Sequence, residues 1–130
     1  MSQAMAEFLG ICLLTNDVLA LTEFYKKALG VEAEGNKVHA ELKTEGASIS
    51  IFSREGMEQM APNCMRGAGC GSYTIGFKVK DVDAEYRRLK TLGVKFILPP
   101  TDQWGYRTMF FRDPDGNIVN FGCPLPGAAA

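Results

Sequence analysis

The chain has a single histidine and a single tryptophan among its 130 residues. It also has no apolar run near the ~20 residues that a membrane helix needs. One imidazole rules out a metal centre built from several histidines, because a divalent ion usually takes three or more imidazole, carboxylate or thiolate donors from protein. Lys and Arg are scattered rather than gathered into a stripe, and the formal net charge is -1. The electrostatic footprint that a phosphate backbone demands is therefore missing, and no nucleic-acid partner is expected. No charged-then-apolar leader opens the sequence, so the expectation is a cytoplasmic protein without membrane contact. Apolar residues at 46% and charged residues at 22% give an ordinary globular balance, which argues against disorder.

Cysteine and glycine motifs are equally uninformative about cofactors. Cys12, Cys64, Cys70 and Cys123 carry no export signal with them and are expected to stay reduced. Cys64 and Cys70 have no neighbouring histidine and match no zinc spacing. The stretch "GAGCG" precedes a strand pattern rather than a helix, so it offers no helix N-terminus to a phosphate.

What the sequence does contain is a faint internal repeat. "FLGICLL" (Phe8 to Leu14) reads as a strand, and "TNDVLALTEFYKKALGV" follows with helical spacing of Val18, Leu21, Phe24, Tyr25, Ala28 and Leu29. Asp17 or Asn16 suits the N-cap, and Gly30 suits the left-handed residue that ends a helix. "SYTIGFKV" and "KDVDAEYRRLKTLGV" repeat the plan, with an aspartate before the helix and Gly93 after it. "KVHAEL" and "GASISIF" follow the first helix; "VKFIL", "YRTMFF" and "GNIVNFG" follow the second. Each half is therefore a strand, a helix and three strands, an α+β arrangement with helices covering one face of mixed sheets. The modules span about 8–52 and 72–122 of a single domain, and residues 53–71, rich in Gly and Met without a clear period, read as a connecting loop.

This order, with "FYKKALG" in the first helix and "QWGYRTMFFRDPDGN" before the last strand, resembles the vicinal oxygen chelate superfamily. That superfamily includes glyoxalase I, extradiol dioxygenases and bleomycin-resistance proteins, and the resemblance runs from Phe8 to Gly122. It implies two tandem βαβββ modules whose strands curl into a cup with the helices outside. Metal-dependent members supply His or Glu from their first, fourth, fifth and eighth strands, and the motifs align those places with Gly10, Ser50, Thr74 and Asn120. None of the four is a useful ligand, so no metal and no cofactor are expected. Family members of this length pair as dimers, which makes a homodimer the expected assembly.

Strand alternation sorts the remaining candidates. With Ile49 and Ile51 under a helix, Ser48, Ser50 and Phe52 turn the other way; with Ile75, Phe77 and Val79 packed, Thr74, Gly76 and Lys78 do so. Val38, Ala40 and Leu42 alternate with His39 and Glu41, which either meet solvent or form a proton-transferring pair. Trp104, in "PPTDQWGYR", is either core or a rim indole able to stack on a flat ligand. Arg107 either binds an anion or pairs with a surface carboxylate.

The resulting expectation is a metal-free protein that sequesters a small organic ligand, resembling the bleomycin-resistance branch, with Ser50, Phe52, Thr74, Trp104 and Asn120 in contact with it. The alternative is a lyase, isomerase or dioxygenase, either metal-free with His39 and Glu41 or using other metal ligands. The two differ in whether product forms.

Overall fold

The computed structural model describes Met5, residues 8–67 and residues 73–127. Two compact units divide at Ala68 and Gly69. Both are α+β, and together they carry three helices and two four-stranded mixed sheets.

In the first unit, β1 (Gly10–Thr15) leads to α1 (Val18–Leu29), then β2 (Ala33–Gly35), β3 (His39–Leu42) and β4 (Ser48–Ser53). Sheet order is β1-β4-β3-β2, with β1 parallel to β4 and the other pairs antiparallel. Helix α1 starts where the Asp17 side chain accepts from the Ala20 amide at 3.0 Å, so Asp17 rather than Asn16 is the cap. It stops at Gly30, whose φ of 65° lets its own amide and that of Val31 reach the Lys26 carbonyl. Val18, Leu21, Tyr25 and Ala28 are buried against the sheet, where Leu13, Ala40, Leu42, Ile49 and Ile51 meet them. Phe24 and Leu29 lie at the margin of that stripe and are only half-buried.

The expected connecting loop at 53–71 requires correction. Residues Arg54–Met60 form a short helix, α2, capped by the Ser53 hydroxyl, which accepts from the Gly56 amide at 2.8 Å. No α2 side chain is fully buried, so the helix has no apolar stripe and no period to reveal it in the sequence. It is held instead by its cap and by close approach to β4: a side chain on Gly56 would stand 2.8 Å from the Phe52 ring. Glu58 then closes the following turn by accepting from the amides of Asn63 and Met65. Residues 68–72, Cys70 among them, lie outside the described residues.

In the second unit, β5 (Thr74–Lys78) precedes α3 (Val82–Thr91), β6 (Lys95–Gln103), β7 (Tyr106–Arg112) and β8 (Ile118–Pro124), in sheet order β5-β8-β7-β6. Asp81 caps α3 through the Ala84 amide at 3.0 Å, matching Asp17. Strand β6 continues beyond "VKFIL" through Pro99 and Pro100 to Gln103. Its place at the sheet edge explains this, because an edge strand has one side whose amides need no partner. Register shifts between Phe96 and Thr101 absorb the prolines. A chain of edge-to-face rings fills the core: Tyr86, Phe96, Phe111, Phe121 and Phe77 meet in succession at 4.7–6.3 Å.

The turn before β8 is held by Asp113 and Gly116. Gly116, at φ 90°, donates its amide to the Asp113 carbonyl at 2.9 Å. The buried Asp113 carboxylate accepts from the amides of Asp115 and Asn117 and from the Asn117 side chain. Among the described residues no helix is long and apolar enough to cross a membrane.

Candidate functional site

Each sheet has one face covered by its long helix and one open face, and alternation assigns the candidates to the open ones. In the first unit, register places Cys12 beside Ser50, Ser50 beside Glu41, and Phe52 beside His39. These residues are exposed or half-buried, whereas Ile49 and Ile51 between them are buried. A shallow groove of ≈ 210 Å³ runs along Gly10, Cys12, Ser48 and Ser50.

His39 and Glu41 share that face but have different partners. The imidazole stands edge-on to Phe52, with ring centroids 5.9 Å apart. The Glu41 carboxylate accepts from the Ser48 hydroxyl at 3.2 Å. Phe52 in turn lies beneath Gly56 of α2, so one side of its ring is already occupied.

In the second unit, β5, β8 and β7 carry Gly76, Asn120 and Phe110 side by side, with Thr74 beside Ile118 and Thr108 beside Gly122. Asn120 is tied to the neighbouring strand. Its Nδ2 donates to Thr108 Oγ1 and, at 3.3 Å, to the Met109 carbonyl. Thr108 Oγ1 passes its own proton to the Phe121 carbonyl at 3.3 Å. A carboxylate at position 120 would have no proton to give either acceptor, so the amide suits its strand environment better than an acid would.

Trp104 occupies the tip of the β6–β7 hairpin, a two-residue turn between the paired Gln103 and Tyr106. Trp104 and Gly105 have φ of 55° and 78°, the left-handed pair of a type I′ turn. The indole is 95% exposed, which excludes the core reading. A bulky residue in this conformation is strained, and Asn would fit far better.

Arg107 is fully engaged on the helix-covered face. Its guanidinium grips Asp83 of α3 at 2.8 Å and 2.9 Å, and Asp102 of β6 at 3.0 Å. The hydrogen bonds from Arg107 hold the Asp83 carboxyl below the usual carboxylate range. The same bonds, Asp83 first and Asp102 second, push the guanidinium further up from its ordinary value. Arg107 is thus a clamp between α3 and the hairpin, matching the surface-carboxylate reading.

The donor chemistry of the four aligned positions does not fit a divalent ion. Gly10 has no side chain, Ser50 and Thr74 are neutral hydroxyls, and the Asn120 nitrogen is turned to β7. Among the described residues, no three His, Cys, Asp or Glu side chains are grouped to hold a metal ion. Register also refines the alignment: Cys12 and Gly76, not Gly10 and Thr74, are the direct neighbours of Ser50 and Asn120. The sequence shows that these residues share a face, but only strand pairing shows which are adjacent.

Comparison with known proteins agrees with this architecture. An uncharacterized protein of Bacillus subtilis, YraH, is 34% identical over 87% of this chain and 94% of its own length. A glyoxalase/bleomycin resistance protein/dioxygenase family enzyme from Burkholderia phytofirmans superposes with a TM-score of 0.82, at 19% identity over 92% of this chain and all of that one. TioX from Micromonospora sp. ML1 gives a TM-score of 0.74 at 23% identity, covering 92% of this chain and 100% of its own. At such identities the two structures speak for the fold alone. Residues 7–121 match the Glyoxalase/Bleomycin resistance protein/Dioxygenase superfamily, and with the βαβββ repeat and the open sheet faces already described, the chain belongs to that superfamily.

Proposed function

We propose that the protein is a metal-free, cytoplasmic, homodimeric binding protein that captures a small organic ligand against its open sheet faces. The observation that carries this reading is the chemistry of four positions on those faces. At the places that the motifs align with the His or Glu ligands of metal-dependent members, this chain has Gly10, Ser50, Thr74 and Asn120. Neutral hydroxyls and an amide bordered by aromatic rings suit an uncharged, flat or amphipathic molecule. Phe52 and Phe110 supply ring surface on the two faces, and the strained, exposed Trp104 supplies an indole able to stack on a ligand.

Trp104 makes the test direct, because it is the only tryptophan. Titration of the protein with a panel of neutral aromatic compounds should change its emission saturably, without product by chromatography. A panel that leaves both the emission and the melting temperature unchanged would remove the reading. Light scattering should give twice the chain mass.

One observation favours a second reading. His39 and Glu41 stand two positions apart on the open face of β3, with Glu41 oriented by Ser48. An imidazole and a carboxylate so placed could move a proton on a bound substrate in a lyase or isomerase reaction. Product formation that disappears in His39→Ala, with ligand binding retained, would select this reading over simple capture.

A further inference from the structure

The side chain of Asn120 carries more information than its type. An asparagine amide offers two donors and an acceptor oxygen, and its two ends are distinguished by what they touch. Here the Met109 carbonyl, which can only accept, faces one end at 3.3 Å. That end must be the nitrogen. Thr108 Oγ1 takes the second bond from Nδ2 and is free to do so because its own proton goes to the Phe121 carbonyl. Both strand-side contacts therefore use Nδ2, and Oδ1 is left toward the open face. No described residue bonds to it.

The neighbours of Oδ1 are two glycines within strands. Side-chain carbons added to Gly76 or Gly122 would each stand 3.7 Å from that oxygen. Neither glycine has a left-handed backbone, and neither has an atom close enough to forbid a methyl group, the tightest approach being 3.6 Å to the Tyr106 ring. Glycine inside a strand weakens it and commonly marks a place where something else approaches. In this sheet backbone geometry and packing would both admit alanine. Gly122 is buried under the Tyr106 ring, whereas Gly76 is exposed, so the missing methyl group at Gly76 is the one that leaves an approach to the Asn120 oxygen.

We propose that Asn120 makes the open face of the second sheet selective for a neutral, planar ligand that presents an N–H or O–H donor, which reaches Oδ1 over Gly76. This rests on the ligand-capture reading above and adds the polarity of the ligand to it. A carbonyl or carboxylate would meet a like partial charge at Oδ1. A cation is disfavoured by Lys78, which shares this face beside Gly122. Phe110, the cross-strand neighbour of Asn120, and the Tyr106 ring beside Gly122 provide aromatic edges for the body of the ligand.

The test uses 2-naphthol and 2-methoxynaphthalene, which differ by the methyl group that removes the donor. Binding to the 15N-labelled protein is followed by backbone and side-chain amide shifts. The naphthol should bind on the order of tenfold more tightly than its ether, with the largest shifts at Gly76, Asn120 and Gly122. Gly76→Ala should fold with an unchanged or raised melting temperature and reduce the preference to less than twofold. Asn120→Leu should remove the preference too, and Gly76→Ala decides the matter if that variant fails to fold. Equal binding of both compounds to the wild-type second sheet, or a preference that survives Gly76→Ala, would overturn the selectivity while leaving ligand capture standing. Failure of both compounds to bind at millimolar concentration would overturn the selectivity and ligand capture together.

Discussion

The two units share their framework and differ on their open faces. Both place the last strand beside the first in parallel, both cap the long helix with an aspartate at 3.0 Å, and both put a positive-φ glycine before the final strand, Gly46 and Gly116 at 96° and 90°. The first unit's open face carries a thiol, an imidazole and carboxylates on Cys12, His39, Glu34 and Glu41. The second presents a neutral amide, a hydroxyl and a glycine at Asn120, Thr74 and Gly76, with Thr108 and Gly122 buried beside them and Lys78 and Arg112 toward its margin. Duplication preserves what the backbone needs and leaves the open face to diverge, since a side chain there is not fixed by core packing. Fold and chemistry are therefore separable in this molecule.

The cores differ as well, and the largest expected effect tests that difference. Phe121 and Ile51 occupy equivalent places in the two last strands, both almost fully buried. Phe121→Ala should cost about 4 kcal/mol, because it strips contacts from Phe77 and Phe111 at once, and Ile51→Ala about 3 kcal/mol. Urea denaturation measures both, and a larger loss at Ile51 would break the claim that the aromatic core is the stronger one.

The turns offer the next contrast. Asp113→Ala removes a buried carboxylate that orders three donors, and should cost about 2–3 kcal/mol. Glu45→Ala, in the exposed turn of the first unit, should change stability by less than about 0.5 kcal/mol. Equal melting temperatures for the two variants would show that the turns are equivalent after all.

Trp104→Asn separates function from stability. Relieving a bulky left-handed residue, and creating the Asn-Gly pair that type I′ turns prefer, should stabilise the protein by about 1 kcal/mol. Affinity for aromatic ligands, measured by calorimetry, should fall in the same variant. A residue kept for folding would instead lose stability on replacement.

The smallest effect concerns pH. The Asp83 carboxyl is held below its ordinary value by Arg107, so its bond contributes stability above the unfolded carboxylate range. That contribution is lost as pH falls through the depressed folded value. Melting temperatures below about pH 4 should therefore fall more steeply for the wild type than for Arg107→Gln. The pair is exposed and the difference small. Parallel curves would remove the clamp as an electrostatic device.

Much of this is legible in the sequence. Asp17, Gly30, Asp81 and the DPDGN turn act locally, and the alternation of Ile49, Ile51 and Ile75 shows which face packs. The missed features depend on distant parts of the chain. Helix α2 is short and buries no side chain, so it has no periodic signature. Strand β6 tolerates Pro99 and Pro100 only because it lies at an edge, and edge position is decided by pairing order. Arg107 finds Asp83 across 24 residues of sequence. The orientation of Asn120 depends on Thr108 and Met109, which only the β7–β8 register brings to it. Residue type alone could suggest an amide that donates and accepts; the register commits its nitrogen to β7.

Gly10, Ser50, Thr74 and Asn120 are proposed to serve a neutral molecule in place of a metal ion. The measurement that tests this most directly is elemental analysis of the protein after dialysis against nickel, zinc, manganese and iron, with the melting temperature of each dialysed sample. The account predicts less than stoichiometric metal in every case and no stabilisation. One ion per chain, with a raised melting temperature, would contradict it and place ligands outside Gly10, Ser50, Thr74 and Asn120.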